Sequence, residues 1–183
     1  MPAQATVPAP GAFEARTNAC FEALMRALAR PGSVQELPAP GPLGIAEALL
    51  DRECRVFADD AALAQRIAGF GATLAPIPEA DYCFLSLADA AGLARLAQVP
   101  VGSPLYPDAG ATVIAEARFG EGQRLQLTGP GIETAAGIAL GGLAEGLWPL
   151  RAARCRYPAG FDLFLLCGAE VIGLPRSTMI EVL

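Results

Sequence analysis

Four short clusters hold most of the residues whose types and spacing could do chemistry. Leu127-Thr128-Gly129-Pro130-Gly131-Ile132 follows a strand-like run, and two glycines there would let backbone amides approach a phosphate. Thr134 stands where a dinucleotide fingerprint needs its third glycine, and Pro130 intervenes, so a tight turn is the competing reading. In Gly102 to Thr112, Pro104 and Pro107 stiffen a loop presenting Tyr106 and Asp108. That pair could hold a ribose hydroxyl or a partner's backbone, or the loop could be a rigid connector. Leu174-Pro175-Arg176-Ser177-Thr178 sets an arginine beside two hydroxyls, a set able to grip a phosphate. The same arginine could instead bridge to a carboxylate or an adjoining subunit. Arg154-Cys155-Arg156-Tyr157-Pro158-Ala159-Gly160-Phe161-Asp162 leads into an apolar strand. A carboxylate there needs a cation, and Arg154 or Arg176 can supply it, with Asp162–Arg154 the expected buried ion pair.

Composition closes many other routes. The 183 residues include 13 basic ones, all arginine, and no histidine. Without lysine there is no Schiff base to pyridoxal phosphate or a carbonyl substrate, and no P-loop. Without histidine there is no Ser-His-Asp or Cys-His pair, and the commonest general base and metal ligand is gone. Cys20, Cys54, Cys83, Cys155 and Cys167 are scattered with no C-x-x-C spacing, which argues for reduced thiols in a cytoplasm and against a zinc or iron–sulfur site, so no metal is expected. The net charge of −6, with no basic run, argues against nucleic acid and anionic membranes. Met1 to Gly11 holds three prolines and no positive charge, unlike a signal peptide, and no apolar run reaches the 18 or so residues of a membrane span. Mean hydropathy is +0.39. Abundant Ala and Leu explain this, and so would apolar surface covered by a partner.

The elements that must position these clusters follow from periodicity. Residues 1–12 read as a flexible N-terminal segment and 13–183 as one α/β domain. A helix is expected over Phe13–Ala29, with Phe21, Leu24, Met25 and Leu28 on one packing face, stopped by Pro31-Gly32. A strand at Ser33–Leu37 and a short helix at Gly44–Leu50 come next. Cys54–Ala58 reads as a strand, Asp59 or Asp60 caps a helix over Ala61–Phe70, Asp81–Leu87 is a strand, and Asp89 caps Ala90–Gln98. Ala111–Phe119 and Arg124–Thr128 read as a hairpin around Gly120-Glu121-Gly122. A helix over Ala144–Arg156, started or interrupted by Pro149, precedes a second hairpin, Phe161–Cys167 with Val171–Leu174, around Gly168. The sum is a three-layer mixed sheet flanked by helices.

Taken in order, five segments resemble the PhnH family of the bacterial carbon–phosphorus lyase system for phosphonate use. They are Phe21 to Gly32, Tyr106-Pro107-Asp108 with Ala111-Thr112, Leu127 to Ile132, Tyr157 to Asp162, and Leu174 to Thr178. The chain departs from the family in its lysine-free surface and in Ser177, where a second threonine is common. The resemblance implies a reduced large domain of the pyridoxal-phosphate transferase fold without the cofactor, and a cytoplasmic homodimer. It implies association with PhnG, PhnI and PhnJ, a functional link to PhnL, and a share in replacing the adenine of MgATP by an alkylphosphonate. ATP and Mg are then substrates of the complex, and this chain a non-catalytic or co-catalytic subunit with no assigned catalytic residue. Two other readings stand beside it. One is a self-sufficient enzyme with Thr128, Gly129, Gly131, Arg176, Ser177 and Thr178 as anion site and Asp108 or Glu133 as base. The other is a phosphonate- or nucleotide-binding regulatory module.

Overall fold

The computed structural model describes residues 11–183. The expected N-terminal segment lies outside the described residues except at 11 and 12, and Ala12 already belongs to a helix.

A seven-stranded mixed sheet forms the middle of the molecule. Its strands, in chain order, are β1 (Val34–Glu36), β2 (Arg55–Ala58), β3 (Thr73–Leu74), β4 (Tyr82–Phe84), β5 (Thr112–Glu116), β8 (Asp162–Cys167) and β9 (Glu170–Leu174). They lie in the order β1-β9-β8-β5-β4-β2-β3. The five strands from β8 to β3 run parallel, and β9 and β1 close one side by antiparallel pairing. One face is covered by α1 (Ala12–Ala29), α2 (Leu43–Leu49) and α3 (Ala61–Ala68), whose Leu24, Ile45 and Ile67 join Val56, Phe84 and Phe164 in one core. The other face is covered by α4 (Ala90–Leu96), α5 (Leu147–Arg154) and a three-stranded antiparallel sheet of β6 (Arg118–Thr128), β7 (Ala136–Gly141) and β10 (Met179–Val182). Leu96, Trp148, Leu125 and Leu140 meet Val113 and Leu163 there. The class is α/β with mixed sheets flanked by helices.

Local signals placed several elements well. The Asp60 carboxylate accepts the Leu63 N–H at 2.6 Å, and that of Asp89 accepts the Gly92 N–H at 2.8 Å, so both act as helix N-caps. The second hairpin forms as read, β8 with β9. The helix expected over Ala144–Arg156 is shorter, Leu147–Arg154, and Pro149 falls in its first turn, where a missing N–H leaves no helical bond unmade.

Two expectations are corrected. The runs 111–119 and 124–128 do not pair with each other. β5 stays in the large sheet, while β6 crosses to the small one and pairs with β7 and β10. Gly120 and Gly122, both at positive φ, form a bulge inside one long strand instead of a turn between two. The packing face of α1 is also rotated from the one expected. Cys20, Ala23, Leu24 and Ala27 are buried, whereas Phe21 and Met25 are 48% and 51% exposed. Close approach explains the choice: a Cβ on Gly173 of β9 would stand 2.6 Å from the Ala27 carbonyl carbon, so only small residues fit where helix meets sheet.

Candidate functional site

Strand order makes a cleft. The connection leaving β2 runs through α3 to the outer strand β3, on one face of the sheet, and the connection leaving β4 runs through α4 to β5, on the other face. Between β2 and β4 the chain therefore parts to opposite sides, and open α/β sheets hold ligands in such crevices at the carboxyl ends of their strands. A cavity of about 510 Å³ lies there. Its floor and walls include Leu63, Phe84, Leu87 and Ile114, and its polar groups include Asp59, Asp60, Ser86, Glu116 and Arg118.

The acidic groups of the cleft differ in how tightly they are held. One oxygen of Asp59 accepts the Ser86 N–H at 2.8 Å, and the other lies 2.9 Å from Nε of Arg95, tying the loops after β2 and β4 together. Asp60 is committed in part to its cap. Glu116 is exposed and has no hydrogen-bond or ion-pair partner among the described residues. Arg118 pairs with Glu121. In the sequence Asp59 and Asp60 are legible only as candidate caps. A signal was present, since both follow a buried strand directly, but the cleft depends on which strands become neighbours.

The four clusters singled out by sequence gather elsewhere, around Arg176. Its Nη2 lies 2.7 Å from Asp162 Oδ2, its Nε donates to the same carboxylate at 3.2 Å, and its backbone N–H donates to Oδ1 at 2.8 Å. Nη1 donates to the Pro107 carbonyl, and Nη2 reaches the Gly110 carbonyl at 3.4 Å. One side chain thus fastens the 102–112 loop to β8 and to the 174–178 segment. A side chain on Gly110 would collide with the Gly160 carbonyl and the Arg176 guanidinium, which is why the loop approaches so closely at a glycine. The partner of Asp162 is Arg176 and not Arg154, whose Nη2 donates to the Val99 carbonyl at 2.6 Å. The expected Asp162–Arg154 pair does not form because α5 points Arg154 toward the segment after α4 instead of along β8.

The remaining candidates are placed as follows. Thr128 pairs with Met179 across β6 and β10, and Gly129 lies against the Ser177 backbone, so the glycine turn and the 177–178 hydroxyl segment are neighbours. Gly131 packs on the Ala29 carbonyl. Thr178 is buried with its hydroxyl unpartnered among the described residues, while its carbonyl accepts from Arg151 Nη1 at 3.0 Å. Tyr106, Asp108 and Glu133 are exposed. Sequence reasoning missed Arg151, only 3% exposed, which also donates to the Leu174 and Pro175 carbonyls at 3.3 and 2.6 Å. Burial lowers its pKa from the usual arginine value. Among the described residues no group of three or more His, Cys, Asp or Glu is arranged to hold a metal ion, and no helix is long and apolar enough to cross a membrane.

Fold and site together define an α/β protein with a switch-point cleft and, apart from it, an arginine-centred fastener. A sequence model of the family described as bacterial phosphonate metabolism protein (PhnH) matches residues 12–181. The chain is 35% identical to the C-P lyase subunit protein HtxG of Stutzerimonas stutzeri, over 91% of this chain and 87% of that one. It is 32% identical to the alpha-D-ribose 1-methylphosphonate 5-triphosphate synthase subunit PhnH of Rhizobium meliloti (strain 1021), over 92% of this chain and 91% of the relative. The chain belongs to the PhnH family.

Proposed function

We propose that the chain is a cytoplasmic subunit of the carbon–phosphorus lyase machinery. In this reading it supports transfer of an alkylphosphonate onto the ribose of MgATP with release of adenine, as a homodimer within an assembly containing PhnG, PhnI and PhnJ and linked to PhnL. It holds no pyridoxal phosphate of its own; ATP and Mg are substrates of the assembly. The names of the two relatives support the assignment. Membership in a reduced transferase-like large-domain fold is part of the same reading, and superposition on such domains tests it.

The observation that carries a supporting role is the state of Arg176. Its charge is matched by Asp162 and its remaining donors are turned to carbonyls, so the segments that could have formed an anion-gripping centre form a structural fastener instead. That fastener carries a set of exposed side chains, Leu105, Tyr106 and Tyr157, on backbone stiffened by prolines. Aromatic groups held rigidly at a surface are the kind that anchor protein interfaces.

Co-expression with the other subunits tests the proposal. The chain is expected to co-purify with them, to be needed for adenine release from ATP and methylphosphonate, and to release none alone. A chain that never associates, or that turns over ATP by itself, overturns it.

A further inference from the structure

We propose that the switch-point cleft is a binding site for the base-and-ribose half of a nucleotide, recognised as a neutral hydrogen-bond donor and not through its phosphates. The size fits: about 510 Å³ lies within the range of small-molecule sites. The charge excludes a phosphate grip. Arg95 answers Asp59 and Glu121 answers the one lining guanidinium, Arg118, which leaves the Asp60 and Glu116 carboxylates unmatched by any cation among the described residues. A free triphosphate entering this field meets net repulsion. Hydroxyl and amino groups, by contrast, find acceptors, and an exposed carboxylate without a partner, Glu116, suits a vicinal diol. Half-buried Leu63 and Pro42 offer apolar surface for a flat base, above a floor of buried Phe84 and Leu87. Phosphates would point outward, toward solvent or a neighbouring subunit.

The ligand class rests on the reading of the chain as part of a nucleotide-consuming assembly, so the test separates the two. Calorimetry on the whole chain would use adenosine and inorganic tripolyphosphate as probes. Adenosine is expected to bind one to one, with tripolyphosphate neither binding nor competing. Glu116→Gln, at an exposed position, is expected to weaken adenosine about tenfold, as for loss of a hydrogen bond to a charged group. Ala88→Trp, a bulky side chain at an exposed lining position, is expected to abolish binding, and co-purification with the other subunits is measured in the same variants. Absent adenosine binding, competition by tripolyphosphate, or binding unchanged in both variants overturns the inference while leaving an assembling chain's proposed function intact. Failure of the wild-type chain to assemble overturns the proposed function and, with it, this inference.

Discussion

The Arg176 guanidinium and the Asp162 carboxylate meet side on, and the Arg176 backbone N–H closes on the same carboxylate at 2.8 Å. Three donors from one residue therefore converge on a group at the start of a central strand. Both side chains are mostly shielded, at 16% and 22% exposure. Removing either partner strands a desolvated charge, which costs much more than the pair itself contributes. Arg176→Ala is expected to lower stability by about 3 kcal/mol, or about 6–12 °C in melting temperature for a chain of this size. Arg176→Lys is expected to recover only part, because an ammonium cannot reproduce the fork. Calorimetric melting checks this; an unchanged transition in Arg176→Ala would show that the arginine is not structural.

The bulge in β6 gives a contrast between two glycines of the same backbone geometry. Both have positive φ, 80° at Gly120 and 83° at Gly122. A Cβ at Gly120 meets open space, whereas one at Gly122 would stand 2.5 Å from the Leu140 carbonyl oxygen and 2.6 Å from the Gly141 Cα. Gly120→Ala therefore bears only the left-handed penalty, about 1 kcal/mol. Gly122→Ala must also push β7 away, adding about 1–3 kcal/mol of overpacking. Urea unfolding of the two variants, compared at equal slope, reads the difference; equal midpoints would contradict the bulge.

Stability is expected to be flat between about pH 5 and 8, the range in which histidine would titrate, since the chain has none. It falls on either side for different reasons. Burial pushes the Asp81 carboxyl up, but hydrogen bonds from the Arg55 side chain and backbone more than offset this and hold it below the usual value of 3.8. A group with a lowered folded pKa contributes above its unfolded value, and that contribution is lost as acid titrates it. At the alkaline end, burial raises the Cys83 thiol to about 12 and the Cys20 thiol to about 11, against 9.0 for a free thiol. Their contribution is complete below pH 9.0, erodes as the unfolded thiols ionise, and is gone once the folded values are passed. Circular dichroism across pH is expected to show this alkaline slope, and Cys20→Ala with Cys83→Ala to flatten it even if the neutral-pH stability drops. An unchanged slope would count against the thiols.

What was legible in the sequence was local. The caps at Asp60 and Asp89 and the hairpin around Gly168 depend on neighbours a few residues away, and the structure forms them as read. What was not legible depends on distant partners. A pair of glycines between two β-rich runs signals a turn or a bulge equally well, and only the arrival of β7 decides at Gly120 and Gly122. Apolar spacing favoured Phe21 and Met25 as the packed face of α1, but contact at Gly173 selected the smaller Ala23 and Ala27. The cleft was invisible because it belongs to strand order: Asp59 and Ser86 lie 27 residues apart and meet only because β2 and β4 become adjacent.

Arg151 offers the sharpest test of how the fastener is held. It lies in the core of the second layer and gives Nη1 to the Thr178 carbonyl and Nη2 to those of Leu174 and Pro175, so it pins the segment that carries Arg176 on both sides. Replacing it by methionine keeps the bulk and removes the desolvated charge, but takes away one donor from each of these carbonyls, at about 1–3 kcal/mol in all, the Pro175 carbonyl still accepting the Thr178 N–H at 2.9 Å. Loosening that segment also releases the backbone N–H that Arg176 gives to Asp162. The two arginines should therefore act as a unit. In a double-mutant cycle of Arg151→Met with Arg176→Ala, the combined loss is expected to fall short of the sum by about 0.5–3 kcal/mol, the range for residues sharing one network. Strict additivity in chemical unfolding would mean that Arg176 keeps its grip on Asp162 without Arg151, and that the 174–178 segment is set by its strand pairing alone.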